Sequence, residues 1–367
     1  MKSSRRRFIG SSGAITASIA SGGLGALFSS QARAAYSSEQ IKSALAKYRG
    51  GSLVVASWGG AYAEAQRNAL YKPFSDEFGI KVIEDGPALN PRISAMVKSG
   101  NVTWDVCSIG GYKAQALGLD GAMTPIDYSV IDSSKFAKQF VGRFGIAFMN
   151  YGLVLGYRTD VLKDAQPTLI TDLWDVKRFP GMRGMEDDPV STIPYAVQAA
   201  GVPRKDVYPL TEEKIKMAFG KLDEIKKHVI WWKQSAQAPQ LLANREVIMA
   251  QVFNGRLDQL ISEGVPIKMV WNGAHLLYDS WCFPKGAQNT TLGMLFVAWA
   301  SLAENNVRYG NFISYGPTNS DAYKLVRKDR ASLMPTSYIS DMVICDQEWW
   351  GQNWTAMVDR FNRWRVS

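Results

Sequence analysis

Leu53, Val54, Val55 and Ala56 form an apolar run that stops at Ser57, and Trp58, Gly59, Gly60 and Tyr62 follow before apolar positions recur at Ala65, Ala69, Leu70, Phe74 and Phe78. An unbroken apolar run reads as a strand covered on both faces, and the later spacing predicts a helix over 61–78. A second strand opens at 80–82, so the unit is βαβ. The stretch WDVCSIGGYKAQAL repeats the design, with a strand over 104–109, Gly110-Gly111 as the turn and a helix from Tyr112. In open α/β sheets ligands lie beyond the carboxyl ends of the strands, so Trp58 and Tyr62 are expected to face a cleft. The competing reading is that Trp58 packs locally beside its turn.

Further along, GIAFMNYGLVLGYRTDVL and VPIKMVWNGAHLLYDSWCFP are apolar stretches long enough for a strand to leave one sheet and enter another. Between them lie a helix in VSTIPYAVQAAG closed by Gly201, a helix capped by Thr211 in TEEKIKMAFGKLDEIKKHV, and a strand ending at Phe253-Asn254-Gly255-Arg256. NTTLGMLFVAWASLAENN predicts a buried helix. The pattern predicts an α/β fold of two lobes joined by crossover strands with a ligand cleft between them. The first lobe is expected over 50–156 plus 280–322, and the second over 157–279 plus 323–367. Two lobes on a hinge suit closure around a small solute.

The N-terminus changes the picture of charge and location. Residues 1–34 carry basic residues, a weakly apolar stretch and Ala32-Arg33-Ala34 as a cleavage signal, and Ser4-Arg5-Arg6-Arg7-Phe8-Ile9 matches a twin-arginine export pattern. The stretch is rich in Gly, Ser and Ala, which argues against a membrane anchor, so a periplasmic protein cleaved near Ala34 is expected. Lys2, Arg5, Arg6, Arg7 and Arg33 lie in this segment, and without them the formal charge of +9 drops by five. The remaining charges are mixed along the chain, which gives no basis for nucleic-acid binding. Cys107, Cys282 and Cys345 are too far apart for a C-x-x-C motif, and buried free thiols are the favoured reading over a disulfide. His228 and His275 are the two histidines. No nucleophile-and-base arrangement, metal cluster or cofactor motif accompanies them, so no catalytic residue, metal or cofactor is expected.

The segments SWGGAY, NYGLVLGYRTD, LWDVKRFPG, MEDDP, VFNG, YDSWCFPKGAQN, ISYGPTN and EWWGQNW stand in an order that resembles the periplasmic solute-binding proteins of ABC importers, in particular the spermidine- and putrescine-binding branch. The resemblance runs over residues 50 to 365. It implies stacking of the ligand on Trp58 and Tyr62, acids from Asp187 or Asp188 with Ser191 where a second acid is expected, and Phe253 in place of a tryptophan. It also implies Asp279 beside Tyr278 as the grip on a ligand amine, and Tyr315 and Trp350 as further contacts. A buried ammonium needs a carboxylate partner, which makes Asp279 the foremost candidate.

Arg256 departs from a polyamine site, because a dication would meet another positive charge there. An amine-and-carboxylate ligand such as a γ-amino acid would fit Asp279 at one end and Arg256 at the other, since guanidinium binds carboxylate bidentately. Against these stand plainer roles: a surface or lobe–lobe ion pair for Arg256, a crossover-strand ion pair for Asp279, and turn formation before Pro189 for Asp187 and Asp188. The expected function is therefore the substrate-binding component of an importer for a polyamine or such a zwitterion, acting as a monomer with a permease of the inner membrane. The alternatives are a sensory receptor of the same fold and, less favoured, a periplasmic enzyme.

Overall fold

The computed structural model describes residues 35–367, and the export signal expected over 1–34 lies outside them. Ten strands form the sheet: β1 (Ser52–Ala56), β2 (Lys81–Asp85), β3 (Val106–Gly110), β4 (Met123–Thr124), β5 (Ile146–Arg158), β6 (Arg183–Glu186), β7 (Val229–Trp232), β8 (Met249–Phe253), β9 (Ile267–Pro284) and β10 (Val343–Ile344). Their order is β2-β1-β3-β9-β5-β8-β6-β7, with β4 and β10 paired to β9.

Two parallel sets flank a central antiparallel pair. β2, β1 and β3 run parallel at one end, β8, β6 and β7 at the other, and the long strands β5 and β9 pair antiparallel between them. β5 and β9 are the two apolar stretches expected to cross between lobes. One half of β9 pairs β3, through Cys107–Cys282 to Gly110–Asp279, while β5 pairs β8 from Leu153–Phe253 onward. Each lobe is thus a parallel sheet closed by one end of a shared ribbon, and the fold is the two-lobed α/β class expected. β2 is the edge of the first lobe, and its exposed Lys81, Glu84 and Asp85 blunt that edge against further strand pairing.

The helix over 61–78 is interrupted. It runs Gly60–Gln66, widens to a π turn over Arg67–Tyr71 and resumes at Lys72–Phe78. Pro73 has no amide to donate and its ring crowds the carbonyl four residues back, which accounts for a widened turn just before it. The helix Thr290–Ala300 is buried from Leu292 to Ala300, and Phe296 and Trp299 meet Phe74 edge-on at 5.0 and 5.3 Å. The C-terminal helix Gln347–Val366 touches both lobes. Its Gly351 lies against Gln115 of helix Gly111–Leu119, and its Arg360 pairs with Glu212 at 2.8 Å on helix Glu212–Ile225. Among the described residues no helix is long and apolar enough to cross a membrane. Cys107, Cys282 and Cys345 are buried free thiols.

Candidate functional site

The carboxyl ends of five strands open on one cavity of 370 Å³. β1 leads to Trp58, Gly59 and Tyr62; β3 to Gly110, Tyr112 and Lys113; β6 to Glu186, Asp188, Val190 and Ser191; β7 to Lys233, Gln234 and Ser235; β8 to Phe253 and Arg256. The site therefore follows from topology, as parallel strands deliver their ends to the same side.

The first turn explains why β1 stops at Ser57. Gly59 and Gly60 have φ of 79° and 58°, a left-handed conformation that side-chain-bearing residues avoid, and nothing crowds either of them. They need conformation and not space. Ser57, already turned inward, donates its hydroxyl to Gln66 and fixes the following helix. Trp58 and Tyr62 emerge on the cleft side, and both reach Asp279.

Asp279 stands on β9 opposite Gly110, where β3 ends. It is 4% exposed. Its Oδ2 accepts from Trp58 Nε1 at 3.1 Å and Tyr62 OH at 2.6 Å, and its Oδ1 from Tyr151 OH at 3.2 Å. Burial pushes the Asp279 carboxyl up, while the Tyr62 bond, the Lys113 charge and the bonds from Tyr151 and Trp58 pull it back. All three direct partners are neutral donors, so the negative charge is fixed in place without being cancelled. The ion-pair role entertained for Asp279 is absent among the described residues.

Tyr151 connects this pole to the next one. Its ring meets Phe253 at 5.4 Å and Tyr315 at 5.3 Å. Tyr315 in turn feels the charges of Arg256 and Asp279, although burial is the main reason its phenol is pushed up. Asn254 holds the Arg256 helix in position, accepting from Gly152 N at 3.0 Å and donating to the carbonyls of Ser314 and Leu333. Arg256 is half-buried and lines the cavity. Among the described residues it forms no ion pair, so the surface or lobe–lobe pairing weighed above is not present.

The opposite acidic wall differs from the sequence reading. Glu186, at the end of β6, lines the cavity and accepts from Ser191 Oγ at 2.5 Å. Burial first, and then the Asp188 charge, pushes Glu186 up to about 8. Asp188 lines the cavity and also caps helix Pro189–Ala199, accepting from Val190 N at 2.7 Å, so the turn-forming role and the cleft position coincide in it. Ser191 is therefore not an empty acid position; it donates to Glu186, five residues earlier at the end of β6.

Three expected contacts lie elsewhere. Asp187 points away from the cavity and is paired with Arg365 at 3.0 Å and Lys233 at 3.6 Å, because side chains alternate as the chain leaves β6. Tyr278 is on the opposite face of β9 from Asp279 by the same alternation, where its hydroxyl donates to Gln139 O at 2.5 Å. Trp350 is fully buried on that far side and donates to Tyr208 OH at 2.7 Å. Tyr278 and Tyr208 line a separate cavity of 480 Å³ with Cys345.

The sequence reading missed Lys113, Tyr151 and Glu186. Strand alternation would have found two of them. Tyr151 and Asp279 have their neighbours across the β5–β9 ladder, and Glu186 is the last residue of its strand.

The chain and its fold are similar to known proteins. The family described as bacterial extracellular solute-binding protein matches residues 69–336. The γ-aminobutyric acid-binding protein of Pseudomonas aeruginosa is 32% identical over 331 residues, covering 88% of this chain and 93% of its own. The structure of the Atu4243 GABA receptor is 34% identical with a TM-score of 0.79, covering 86% of this chain and 97% of that one. An ABC transporter substrate-binding protein from Bradyrhizobium japonicum USDA 110 is 29% identical with a TM-score of 0.81, covering 86% and 99%. The chain belongs to the bacterial extracellular solute-binding protein family. It is a substrate-binding protein of the ABC-transporter type, a class that captures small molecules and hands them to permeases.

Proposed function

We propose that this protein captures, in the periplasm, a zwitterion with one ammonium and one carboxylate on a short carbon chain, of the γ-aminobutyrate class, and delivers it to an inner-membrane permease. The observation that supports this most is the pairing of two unspent charges in one cavity: Asp279 fixed by neutral donors, and Arg256 with no ion-pair partner among the described residues. The ammonium would sit against Asp279, the carboxylate against Arg256, and Trp58, Tyr62, Tyr151, Phe253 and Tyr315 would enclose the carbons. A charge-assisted hydrogen bond at each end contributes about 1.5–3 kcal/mol. Two relatives whose names specify γ-aminobutyric acid support the same class. Closure of the lobes around such a ligand would create the surface a permease meets.

A second reading is favoured by the three acids Glu186, Asp188 and Asp279 in the cavity, which would suit a diamine. Thermal-shift and calorimetric titration of the mature protein with γ-aminobutyrate and with putrescine separates the two. A ligand at 100 times its dissociation constant adds about 2.7 kcal/mol, which gives a visible rise in Tm. The expected result is a rise with γ-aminobutyrate and none with putrescine; the reverse would sink the zwitterion reading.

A further inference from the structure

We infer that Lys113 is the residue that sets charge selectivity in this cleft: its tethered ammonium occupies the aromatic face and acidic surroundings that a second ligand ammonium would need, and so turns diamines away. This rests on the zwitterion reading above and goes beyond it by naming the device that excludes the competing ligand class.

Lys113 lies in the first turn of helix Gly111–Leu119, half-buried, with its side chain in the cavity. Its Nζ is 5.1 Å from the centroid of the Trp58 ring and 5.6 Å from that of Tyr112. That is the range in which an ammonium is held by a ring face. The ion pairs on the far wall belong to Asp187, with Lys233 and Arg365, and among the described residues Lys113 takes part in none. Its charge is nevertheless felt by every acid of the cavity. Burial pushes Asp279, Glu186 and Asp188 up, and Lys113 pulls each of them back. The lysine thus lies beside two aromatic rings in a cavity it shares with three carboxyls, the groups by which an amine-bearing ligand would be recognised.

A ligand with one ammonium needs Asp279 alone and leaves this position to Lys113. A diamine of similar length must place its second charge either beside Lys113 or beside Arg256, and like charges repel at both. Arg256 gives the carboxylate a partner, whereas Lys113 denies the second amine one. The two cations have different tasks. Lys113 is a positioning and exclusion residue, and its removal should change which ligand binds more than whether the fold survives.

The test is calorimetry of the wild type, Lys113→Met and Lys113→Arg with γ-aminobutyrate, putrescine and n-butylamine, the last carrying a single cation and no carboxylate. Methionine keeps the length and helix propensity and removes the charge. The expected result is that the ratio of putrescine to γ-aminobutyrate affinity rises at least tenfold in Lys113→Met and stays at the wild-type value in Lys113→Arg. n-Butylamine should gain in Lys113→Met by less than putrescine does. An unchanged ratio in Lys113→Met, with γ-aminobutyrate still bound, overturns the inference and leaves the zwitterion reading standing. A wild type that binds putrescine more tightly than γ-aminobutyrate overturns both. A ratio that rises equally in Lys113→Arg assigns the effect to packing and also overturns the inference.

Discussion

At the end of β3 a carboxylate meets three neutral donors; at the end of β6 another meets one donor and a second carboxyl. Asp279 accepts from Trp58, Tyr62 and Tyr151, while Glu186 accepts from Ser191 with Asp188 close by. Both are held up by burial. The difference lies in what opposes it: hydrogen bonds to the charged form favour ionisation, and a like charge disfavours it. One acid therefore has three donors aimed at its charged form, ready for a cation, and the other, beside a second carboxyl, is pushed up to about 8. Two identical functional groups in one cavity have been given different tasks by their neighbours, as in sites where paired carboxyls divide the roles of acid and base.

The strongest way to break this comparison is Asp279→Asn. The amide keeps the shape, loses the charge and presents donors where three donors already converge. Removing one partner of a buried charge pair costs about 3–5 kcal/mol, so the affinity for an amine-bearing zwitterion is expected to fall by about a hundredfold or more in calorimetry. A variant that binds as well as the wild type would show that the ammonium goes elsewhere, with Glu186 and Asp188 as the next candidates.

Arg256→Ala should come second. Its loss removes the charge-assisted bond to the carboxylate, about 1.5–3 kcal/mol, or roughly ten- to a hundredfold in affinity for γ-aminobutyrate. Binding of n-butylamine should be unaffected or improved, because the repulsion between Arg256 and an ammonium is gone. Equal losses for the two ligands would mean that Arg256 supports the fold of the cleft and does not touch the carboxylate.

Glu186 offers a test without any ligand. Its folded value of about 8 stands above the ordinary glutamate value of about 4.5, so the unfolded chain gives up this proton first as pH rises. Stability should accordingly be greatest below about 4.5 as far as this group is concerned, and fall as pH climbs toward 8. Glu186→Gln removes that slope. Thermal unfolding from pH 5 to pH 8.5 should show the variant gaining on the wild type by a few degrees toward the alkaline end. A wild type and variant that track one another over this range would place Glu186 as an ordinary ionised acid and erase the contrast with Asp279.

The sequence carried the backbone of this argument unevenly. The βαβ starts, the two long crossover strands and the aromatic residues after Gly59-Gly60 were legible because apolar runs and glycine pairs are local signals. The two glycine pairs look alike as text, but their causes differ. Gly59 and Gly60 adopt positive φ, whereas a side chain on Gly111 would collide with the Gln347 amide of the C-terminal helix. That contact joins residues far apart in the chain, which no local pattern encodes. The acids of MEDDP show the same limit. Which of Glu186, Asp187 and Asp188 faces the cleft depends on where β6 stops, and the end of a strand is set by its partners β7 and β8. Lys113 escaped for a further reason, since a lone lysine in the first turn of a helix carries no local sign that it shares a cavity with three carboxyls from other segments.

The smallest expected effect comes from the donor side of the Asp279 wall and sharpens the comparison most finely. Trp58→Phe removes one of three hydrogen bonds to Asp279 and keeps an aromatic face for the cation. The indole N–H bonds Asp279 with or without ligand, so its loss bears on affinity only through the charge and position of that carboxyl, and a loss of about 0.5–1.5 kcal/mol, roughly two- to tenfold, is expected. Tyr62 and Tyr151 still hold both oxygens, so the carboxylate should keep its place. The loss should also grow as pH falls, because a carboxyl with fewer donors is pushed further up and protonates sooner on acidification. Titrations at pH 7.5 and pH 5.5 check this: a loss that is larger at the lower pH places the indole N–H among the groups that keep Asp279 charged. A loss identical at both would leave Trp58 with the stacking role alone.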